Sequence, residues 1–307
     1  MKISFKVLKK WWFWVGTVLV ILFIAFYAFL QLRLNDSAFA WLIKDNGYEL
    51  ETTHYEVGKR HMRYVQMGGE NQPMILAIHG APSSSGGWKN MFNDSILVNS
   101  VKLVAVDRPG YGYSDFGKIE LSLKKQAELI APILKKYREK YQTILVVGSS
   151  YGGPVAARLA MDYPNLMDGL MLISASVAPG YEKTYSISYP TTNKWLEWLV
   201  PQAITNANHE KLAHRESLFR MLPDWDKIKA ATTILHGDAD DLIYEENAHF
   251  AERKLVNAAL VKKIILPNMG HGLPFSHPDL IRQFLLQAVK RTQDYQATVD
   301  DSFNLLK

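Results

Sequence analysis

The sequence predicts an α/β fold in which a mostly parallel, doubly wound sheet carries helices on both faces. Short apolar runs alternate with helical segments at regular spacing along most of the chain, which is typical of parallel strands covered on both sides. A glycine-flanked serine joins one of these runs to a helix. The alternation breaks once, at residues 178–230, which contain several tyrosines and tryptophans. We predict that this stretch is a helical lid inserted between two strands.

The composition is that of a globular chain with a large core: 307 residues, of which 48% are hydrophobic and 21% charged. The absence of cysteine excludes disulfides, thiolate metal sites and a lipidated cysteine. The formal net charge is +5, and four lysines lie within the first ten residues. Because the rest of the chain is nearly neutral, a nucleic-acid partner is not expected.

An uncharged run of twenty residues, Trp11 to Leu30, follows the basic N-terminus. As a helix it would extend about 30 Å, the thickness of the hydrocarbon core of a bilayer. Tryptophans at its start and a tyrosine near its end suit the two interfaces, and the preceding lysines favour a cytoplasmic N-terminus. We therefore predict a basic cytoplasmic tail at 1–10 and a single-pass transmembrane signal anchor at 11–30, with the rest of the chain periplasmic or extracellular.

The chain after the anchor offers a second interpretation. Ala38-Phe39-Ala40 has the small-residue spacing of a signal-peptidase site, so a protein secreted after cleavage near Ala40 is the alternative. Both interpretations put the folded domain outside the cytoplasm. The remaining divisions that we predict are a linker at 31–46, the folded domain at 47–293 and a polar, poorly ordered tail at 294–307.

The folded domain begins with two strands, Tyr48 to Val57 and Lys59 to Gln66, joined by a turn at Gly58. The apolar runs that follow are short and end at turn-forming residues, so each is predicted as a buried strand. Segments with helical spacing and good helix formers are predicted as helices. The strands are expected at 74–78, 101–106, 143–147, 170–174, 232–235 and 260–266, and the main helices at 121–141, 153–162 and 278–291.

The strand at 143–147 leads into residues 148–152, which read G-S-S-Y-G and match the pattern G-x-S-x-G. The two glycines remove side chains where the strand and the following helix crowd together, and the sharp turn exposes the hydroxyl of Ser150. Ser149 does not fit the pattern, because the residue two before it is Val147 and not glycine. We predict that Ser150 is a nucleophile.

A serine hydroxyl is a poor nucleophile at neutral pH and needs a base within hydrogen-bond reach. We predict that this base is His271, which stands in a Gly-His-Gly turn just after a predicted strand. His79 suits a bracing role in its loop. His236 suits a structural role at a strand end, and His277 suits the start of the helix at 278.

A third residue must orient the imidazole and stabilise its protonated form. Asp240 follows a predicted strand, three residues after Gly237, and we predict that it takes this role. Its neighbours Asp238 and Asp241 are the alternatives.

Acyl transfer also needs two N–H groups aimed at the negative charge that develops on the carbonyl oxygen. Tyr151, directly after the nucleophile, is predicted to supply one. The second is expected from the loop after the strand at 74–78, where Ala81 is the candidate because Pro82 has no N–H. No pattern for metal ligation or phosphate binding is present, so neither a metal nor another cofactor is expected.

The aromatic residues of the lid have two interpretations of equal weight. They can form a core stripe within the lid, or they can line an apolar acyl pocket above the serine. These residues are Tyr181, Tyr185, Tyr189, Trp195 and Trp198.

The chain from Tyr48 to Arg291 resembles the α/β-hydrolase superfamily, and its order of nucleophile, acid and histidine is that of this superfamily. Two of the motifs resemble the branch that contains epoxide hydrolases, haloalkane dehalogenases and small esterases. Epoxide hydrolases and haloalkane dehalogenases carry an aspartate at the elbow, so Ser150 implies acyl-transfer hydrolysis instead. The motifs are HGAP at 79–82 and DRPGYGYSD at 107–115, which indicate the branch, and GSSYGG at 148–153, GDAD at 237–240 and GHG at 270–272.

The resemblance and the residues predict a serine hydrolase that cleaves carboxylic esters with small or lipid-like acyl groups. Membrane-anchored monoacylglycerol lipases are similar in plan, with one N-terminal span before this domain. One alternative is an aminopeptidase or amidase, in which a lid glutamate binds the amine. Others are perhydrolysis, carbon–carbon cleavage, and a non-catalytic binding protein, although such proteins usually lack a triad residue. The lid glutamates are Glu182, Glu197, Glu210 and Glu216.

Overall fold

The computed structural model describes the backbone of residues 5–181, 183, 186, 188–193, 195 and 197–304. The strands are β1 (Glu51–Val57), β2 (Arg60–Met67), β3 (Met74–Ile78), β4 (Lys102–Val106), β5 (Ile144–Ser149), β6 (Gly169–Ile173), β7 (Ala231–Gly237) and β8 (Val261–Leu266). The helices are α1 (Phe5–Phe29), α2 (Asp36–Leu42), α3 (Lys89–Phe92), α4 (Ser95–Val98), α5 (Leu123–Arg138), α6 (Gly152–Asp162), α7 (Ser188–Thr191), α8 (Gln202–Met221), α9 (Glu246–Lys254), α10 (Leu273–Ser276) and α11 (Pro278–Asn304). Short 3₁₀ turns lie at Ser85–Trp88, Pro164–Leu166, Glu197–Leu199 and Leu222–Lys227.

The eight strands form one sheet in the order β1-β2-β4-β3-β5-β6-β7-β8. β2 pairs antiparallel with β1 and β4, and every other pair is parallel, so the predicted sheet is confirmed. β3 has β4 on one side and β5 on the other, which makes it the point where the strand order reverses. Such a point opens a crevice at the carboxyl ends of the strands. His79, Ser150, Asp240 and His271 all follow strand ends at this edge.

The core lies on both faces of the sheet because parallel strands bury alternate side chains in opposite directions. Along β3, Leu76 and Ile78 pack into the cluster that includes apolar residues of α5 and α6. Ile75 and Ala77 pack into the cluster on the other face, which includes α11. The sheet is therefore held rigidly between two helical layers, and its carboxyl edge is a stable platform for a site.

The predicted anchor forms a long apolar helix whose side chains are largely exposed. Within α1, Trp11–Phe29 has a mean hydropathy of 2.2 over 19 residues, and none of its most apolar window is buried. The aliphatic and aromatic side chains of this stretch are mostly more than half exposed. By length and composition the helix is a candidate membrane span.

The predicted linker at 31–46 is not a free tether, because it contains α2 and packs on the domain. Asn35 caps α2 by accepting a hydrogen bond from the Ala38 N–H at 2.7 Å. Phe39 is fully buried and meets Phe92 edge to face, with ring centroids 5.7 Å apart. Arg63 reaches Asp36 at 2.7 Å. The packing of this segment on the domain was not predicted from the sequence, because the segment is short and has only one large core residue.

Replacing Phe39 with alanine is expected to lower the free energy of unfolding by about 3 kcal/mol, because it empties a fully buried aromatic site. Urea denaturation of the detergent-solubilised chain measures this loss. Trp41→Ala on the same helix is the control: Trp41 is 83% exposed, so its replacement should change stability by less than about 0.5 kcal/mol. Equal stability of the two variants would show that α2 is not part of the folded domain.

The C-terminal helix continues beyond its predicted end at Arg291 and includes residues 294–304 of the stretch that we expected to be a poorly ordered tail. α11 runs from Pro278 to Asn304. Gln296 ties the helix to the start of β5, since its side chain accepts from the Thr143 hydroxyl at 2.8 Å and donates to the Gln142 carbonyl at 3.2 Å. The last turns lack the apolar period that predicts a helix, and polar contacts of this kind leave no such period.

Candidate active site

Ser150 sits at the tight turn between β5 and α6, with a left-handed backbone of φ +54°. Its N–H donates to the Ile173 carbonyl at 3.0 Å, which fixes the turn against β6. A Cβ on Gly148 would lie 2.4 Å from the Gly152 carbonyl oxygen, and one on Gly152 would lie 2.3 Å from the Ile78 carbonyl oxygen. Both positions therefore require glycine, and the elbow forms as the sequence predicted.

Ser150, His271 and Asp240 are brought together in a line of hydrogen bonds. The Nε2 atom of His271 lies 3.0 Å from the Ser150 Oγ, and its Nδ1 atom lies 2.8 Å from the Asp240 Oδ2. The other oxygen of Asp240 accepts from the N–H groups of Leu242 and Ile243 at 3.0 and 2.8 Å. These bonds hold the carboxylate in one orientation and direct one oxygen at the imidazole.

The charge state of Asp240 fixes the tautomer of His271. Burial disfavours the charged carboxylate, but hydrogen bonds from His271 and from the Ile243 N–H outweigh it and keep the pKa of Asp240 below its ordinary value. An ionised Asp240 accepts the Nδ1–H of His271, so Nε2 is left as the acceptor that faces the Ser150 hydroxyl.

The alternative acids and bases have other partners. Asp238 accepts from the Asn268 N–H at 2.7 Å, and the side chain of Asp241 is exposed. His236 bonds to the Ile243 carbonyl at 2.8 Å, and His277 bonds to the Ser276 hydroxyl at 2.8 Å. His79 is buried in a loop network. Each of these arrangements matches a structural role.

The two predicted oxyanion donors lie beside Ser150. A Cβ on Gly80 would be 2.9 Å from the Ser150 Cβ, so the loop that carries Ala81 touches the elbow. Ala81, Tyr151 and Ser150 border the same cavity. Their role as oxyanion donors stays a prediction, and the closeness of the loop to the nucleophile supports it.

Two cavities border both Ser150 and His271. The first, of about 200 Å³, has a largely apolar wall that includes Trp88, Pro274 and Phe275. The second, of about 270 Å³, lies under the lid. Residues of α8 line it at helical spacing, together with Lys183, Leu242 and Ile243. The α8 residues are Ile204, Ala207, Asn208, Lys211 and His214.

The structure places the four described lid aromatics neither in a core stripe nor in the wall of a cavity at Ser150, so it supports neither interpretation for them. Tyr181, Tyr189, Trp195 and Trp198 are between 47% and 84% exposed, and none of them lines either cavity. Tyr185 lies outside the described residues. The aromatics precede α8, and it is the inner face of α8 that closes the cavity. The cavity-lining residues recur every three to four positions along 204–214, and this helical spacing could have predicted that α8 forms the wall.

His214 is the most buried polar group in the wall of the second cavity. It stacks on Tyr151 with ring centroids 4.7 Å apart, and its Nε2 lies 3.0 Å from the Ser176 carbonyl. Burial lowers the pKa of His214 to about 4. The imidazole is therefore neutral at physiological pH and packs against the elbow as an uncharged side chain.

Acidification is expected to destabilise the protein through His214. The unfolded chain takes up this proton near the ordinary pKa of 6.5, and the folded protein only near pH 4. The stabilisation is therefore complete above about pH 6.5 and is lost as pH falls toward 4, amounting to about 2 kcal/mol by pH 5. Urea denaturation should show a shallower pH dependence for His214→Gln, whereas His209→Gln, a partly exposed residue of the same helix, should behave like the native protein. An unchanged slope in His214→Gln would contradict the assignment.

Comparison with known proteins shows what this chain is similar to. The model of the alpha/beta hydrolase family matches residues 75–284. Pimeloyl-(acyl-carrier protein) methyl ester esterase from Wigglesworthia glossinidia brevipalpis is 26% identical over 258 residues, covering 73% of this chain and 96% of that protein. Monoacylglycerol lipase ABHD6 from Bos taurus is 24% identical over 280 residues, covering 77% and 79%.

A solved structure extends the similarity in fold. The crystal structure of a membrane phospholipase A has a TM-score of 0.62 at 21% identity, and the match covers 92% of this chain and 98% of that one. The esterase and lipase relatives support a hydrolase. Since the family match spans more than half of the chain and the sheet has the expected order, the chain belongs to the alpha/beta hydrolase family.

Proposed function

We propose that this protein is a serine hydrolase that cleaves carboxylic esters through a covalent acyl-enzyme. The observation that carries the proposal is the continuous hydrogen-bonded line from Asp240 through His271 to Ser150, where two cavities meet. A base within reach of a hydroxyl, itself oriented by a buried carboxylate, is the arrangement that activates a serine.

In the proposed reaction, His271 Nε2 takes the hydroxyl proton as the Ser150 Oγ attacks the ester carbonyl. The carbonyl oxygen becomes negative, and the N–H groups of Ala81 and Tyr151 stabilise it. The tetrahedral intermediate then collapses, the alcohol leaves with the proton from His271, and the acyl group stays on Ser150. A water molecule, deprotonated by His271, releases the acid, so one ester and one water give one acid and one alcohol.

The two cavities suit the two halves of an ester. The first has an apolar wall and suits an acyl chain. The second combines apolar side chains with Asn208, Lys183 and Lys211, which suits a more polar alcohol portion. An ester with a lipid-like acyl group and a polar alcohol therefore fits best.

The lid glutamates give little support to the aminopeptidase alternative. Glu210 is fully buried and bonded to Arg108. Glu197 contacts His209, and Glu216 pairs with Arg220 at the surface. Glu182 lies outside the described residues. None of the three described glutamates lines the cavities at Ser150, so none is ready to bind a substrate amine.

We further propose that the chain stays anchored, with its N-terminus in the cytoplasm and its catalytic domain outside. The exposed apolar helix α1 and the lysines before it support this orientation. Cleavage near Ala40 would remove Phe39 from the core and Asp36 from its pair with Arg63. The mass of the protein isolated from membranes tests this directly, since a cleaved form lacks about forty residues.

Chromogenic esters from acetyl to long acyl test the function, with peptide amides assayed beside them. We expect turnover of esters, and the chain-length optimum measures the length of the acyl cavity. Hydrolysis of peptide amides without esters would favour the aminopeptidase alternative. Turnover of neither class would favour perhydrolysis or carbon–carbon cleavage.

A further inference from the structure

A buried carboxylate of the lid reaches the loop behind the predicted oxyanion site. Glu210 lies on α8 and is fully buried. Its carboxylate accepts two parallel hydrogen bonds from the Arg108 guanidinium, at 2.6 and 3.0 Å. It also accepts from the Tyr111 hydroxyl at 2.7 Å and from the Gln126 amide at 3.1 Å. A fully desolvated charge with this many partners is rigidly placed.

Arg108 connects Glu210 to the loop after β3 and to Tyr151 of the elbow. Beyond Glu210 and Gln126, its guanidinium donates to the carbonyl oxygens of His79 at 2.9 Å and Gly80 at 3.2 Å. Its five N–H bonds are thereby all used. The guanidinium also lies 4.7 Å from the centre of the Tyr151 ring. Arg108 therefore contacts both segments that carry the predicted oxyanion donors.

The bond to Gly80 orients the peptide that holds one of those donors. The carbonyl of Gly80 and the N–H of Ala81 belong to the same peptide unit, which is trans. In a trans peptide the two groups point in opposite directions. Because Arg108 and the His79 Nδ1 both bind the Gly80 oxygen, the Ala81 N–H is turned away from Arg108. Ala81 borders both cavities that contain Ser150.

We propose that Glu210 is a positioning residue for the oxyanion site, acting through Arg108 on the Gly80–Ala81 peptide. The inference rests on the function proposed above. It makes catalytic competence depend on the docking of α8, since Glu210 is the acidic partner that neutralises Arg108. With the lid displaced, the guanidinium loses its counter-charge, and the Ala81 N–H loses its fixed direction. Docking of α8 then both closes the cavity under the lid and fixes the direction of the Ala81 N–H.

The test compares Glu210→Gln and Glu210→Ala with the native full-length chain in detergent. The readouts are kcat and KM for the best ester, and the inhibition constant of phenylboronic acid, whose tetrahedral adduct with Ser150 puts an oxygen at the oxyanion position. We expect kcat to fall about 10-fold in the glutamine variant and about 100-fold in the alanine variant. Neither fall should exceed the fall in kcat that follows removal of a complete oxyanion donor, which is about 100- to 1000-fold. The inhibition constant of phenylboronic acid should rise by a factor similar to the fall in kcat, while KM changes less than about threefold.

Asp224→Asn is the matched control. Asp224 also joins the lid to the core, by a 2.6 Å bond from Arg158 of α6, but neither residue lines the cavities at Ser150. This variant should keep the native kcat and boronate constant even if its melting temperature drops. If the alanine variant does not fold, the glutamine variant carries the test.

Three results would overturn the inference while leaving the proposed function intact. One is a native kcat in folded Glu210→Gln and Glu210→Ala. Another is a fall in kcat without weaker boronate inhibition. The third is an equal fall in Asp224→Asn, which would indicate general loosening of the lid. Failure of the proposed function looks different, because boronate would then not inhibit the native protein and Ser150→Ala would keep its activity.

Discussion

Replacing Ser150 with alanine is expected to lower kcat for ester hydrolysis by about 10⁴-fold or more. The Oγ atom is 3.0 Å from the His271 Nε2, so the substitution removes both the nucleophile and the group whose proton the base accepts. What remains is substrate binding and the oxyanion site, which retain only a small part of the acceleration. The measurement is steady-state turnover of the preferred ester at equal concentrations of folded protein, and fluorophosphonate labelling of each variant is followed by mass spectrometry.

The neighbouring serine provides the control for this prediction. Ser149 is the last residue of β5, and Ser149→Ala removes an equal number of atoms one position away. That variant should retain most of its kcat and still take up the fluorophosphonate, whereas Ser150→Ala should not be labelled. Near-native turnover in Ser150→Ala would reject the nucleophile and with it the acyl-enzyme mechanism.

The second large effect is expected from Asp240→Asn, with a fall in kcat of about 10³- to 10⁴-fold at neutral pH. Leu242 and Ile243 both donate to the Asp240 Oδ1, so the carbonyl oxygen of an asparagine would take that position. Its NH₂ group would then face the Nδ1 of His271 as a donor. The imidazole would have to accept there and carry its proton on Nε2, where it cannot accept the proton of Ser150.

Asp241→Asn is the control, since that side chain is exposed and the substitution removes the same charge one residue away. Its kcat should stay within about twofold of native. The asparagine variant at 240 should keep its KM, because the defect lies in proton transfer and not in binding. Loss of activity in Asp241→Asn, with Asp240→Asn active, would reverse the assignment of the acid.

The sheet, and the residues that come together at its edge, could be predicted from the sequence for one physical reason. Parallel strands end at the same edge, so residues that follow different strands meet in space although they are far apart in the chain. Ser150, Asp240 and His271 each follow a short apolar run, and glycine marks each turn. Strand ends and glycines are local signals, and here local signals determine the arrangement.

The structures of the lid and of the junction with the anchor were harder to predict from the sequence, because they depend on tertiary contacts. The aromatics at 181–198 stand out in the sequence, yet the cavity wall comes from α8, whose apolar period is interrupted by Asn208 and Lys211. Glu210 was predicted as a possible amine ligand, but in the structure its carboxylate is bonded to Arg108, 102 positions away in the chain, and to Tyr111 and Gln126. A buried ion pair of this separation leaves no pattern in either local segment.

The docked junction between α1 and the domain has a consequence for how such an enzyme finds its substrate. Arg33 lies 4.2 Å from the ring centres of Tyr113 and Phe116, and the Ser84 hydroxyl donates to the Leu32 carbonyl at 2.9 Å. If α1 is inserted in a membrane as proposed, these contacts join the domain to the base of the anchor and restrict its rotation about residues 30–35. The proposed ester hydrolysis would then take place at the membrane surface, and its rate would depend on the surface density of an ester in the leaflet and not on its bulk concentration.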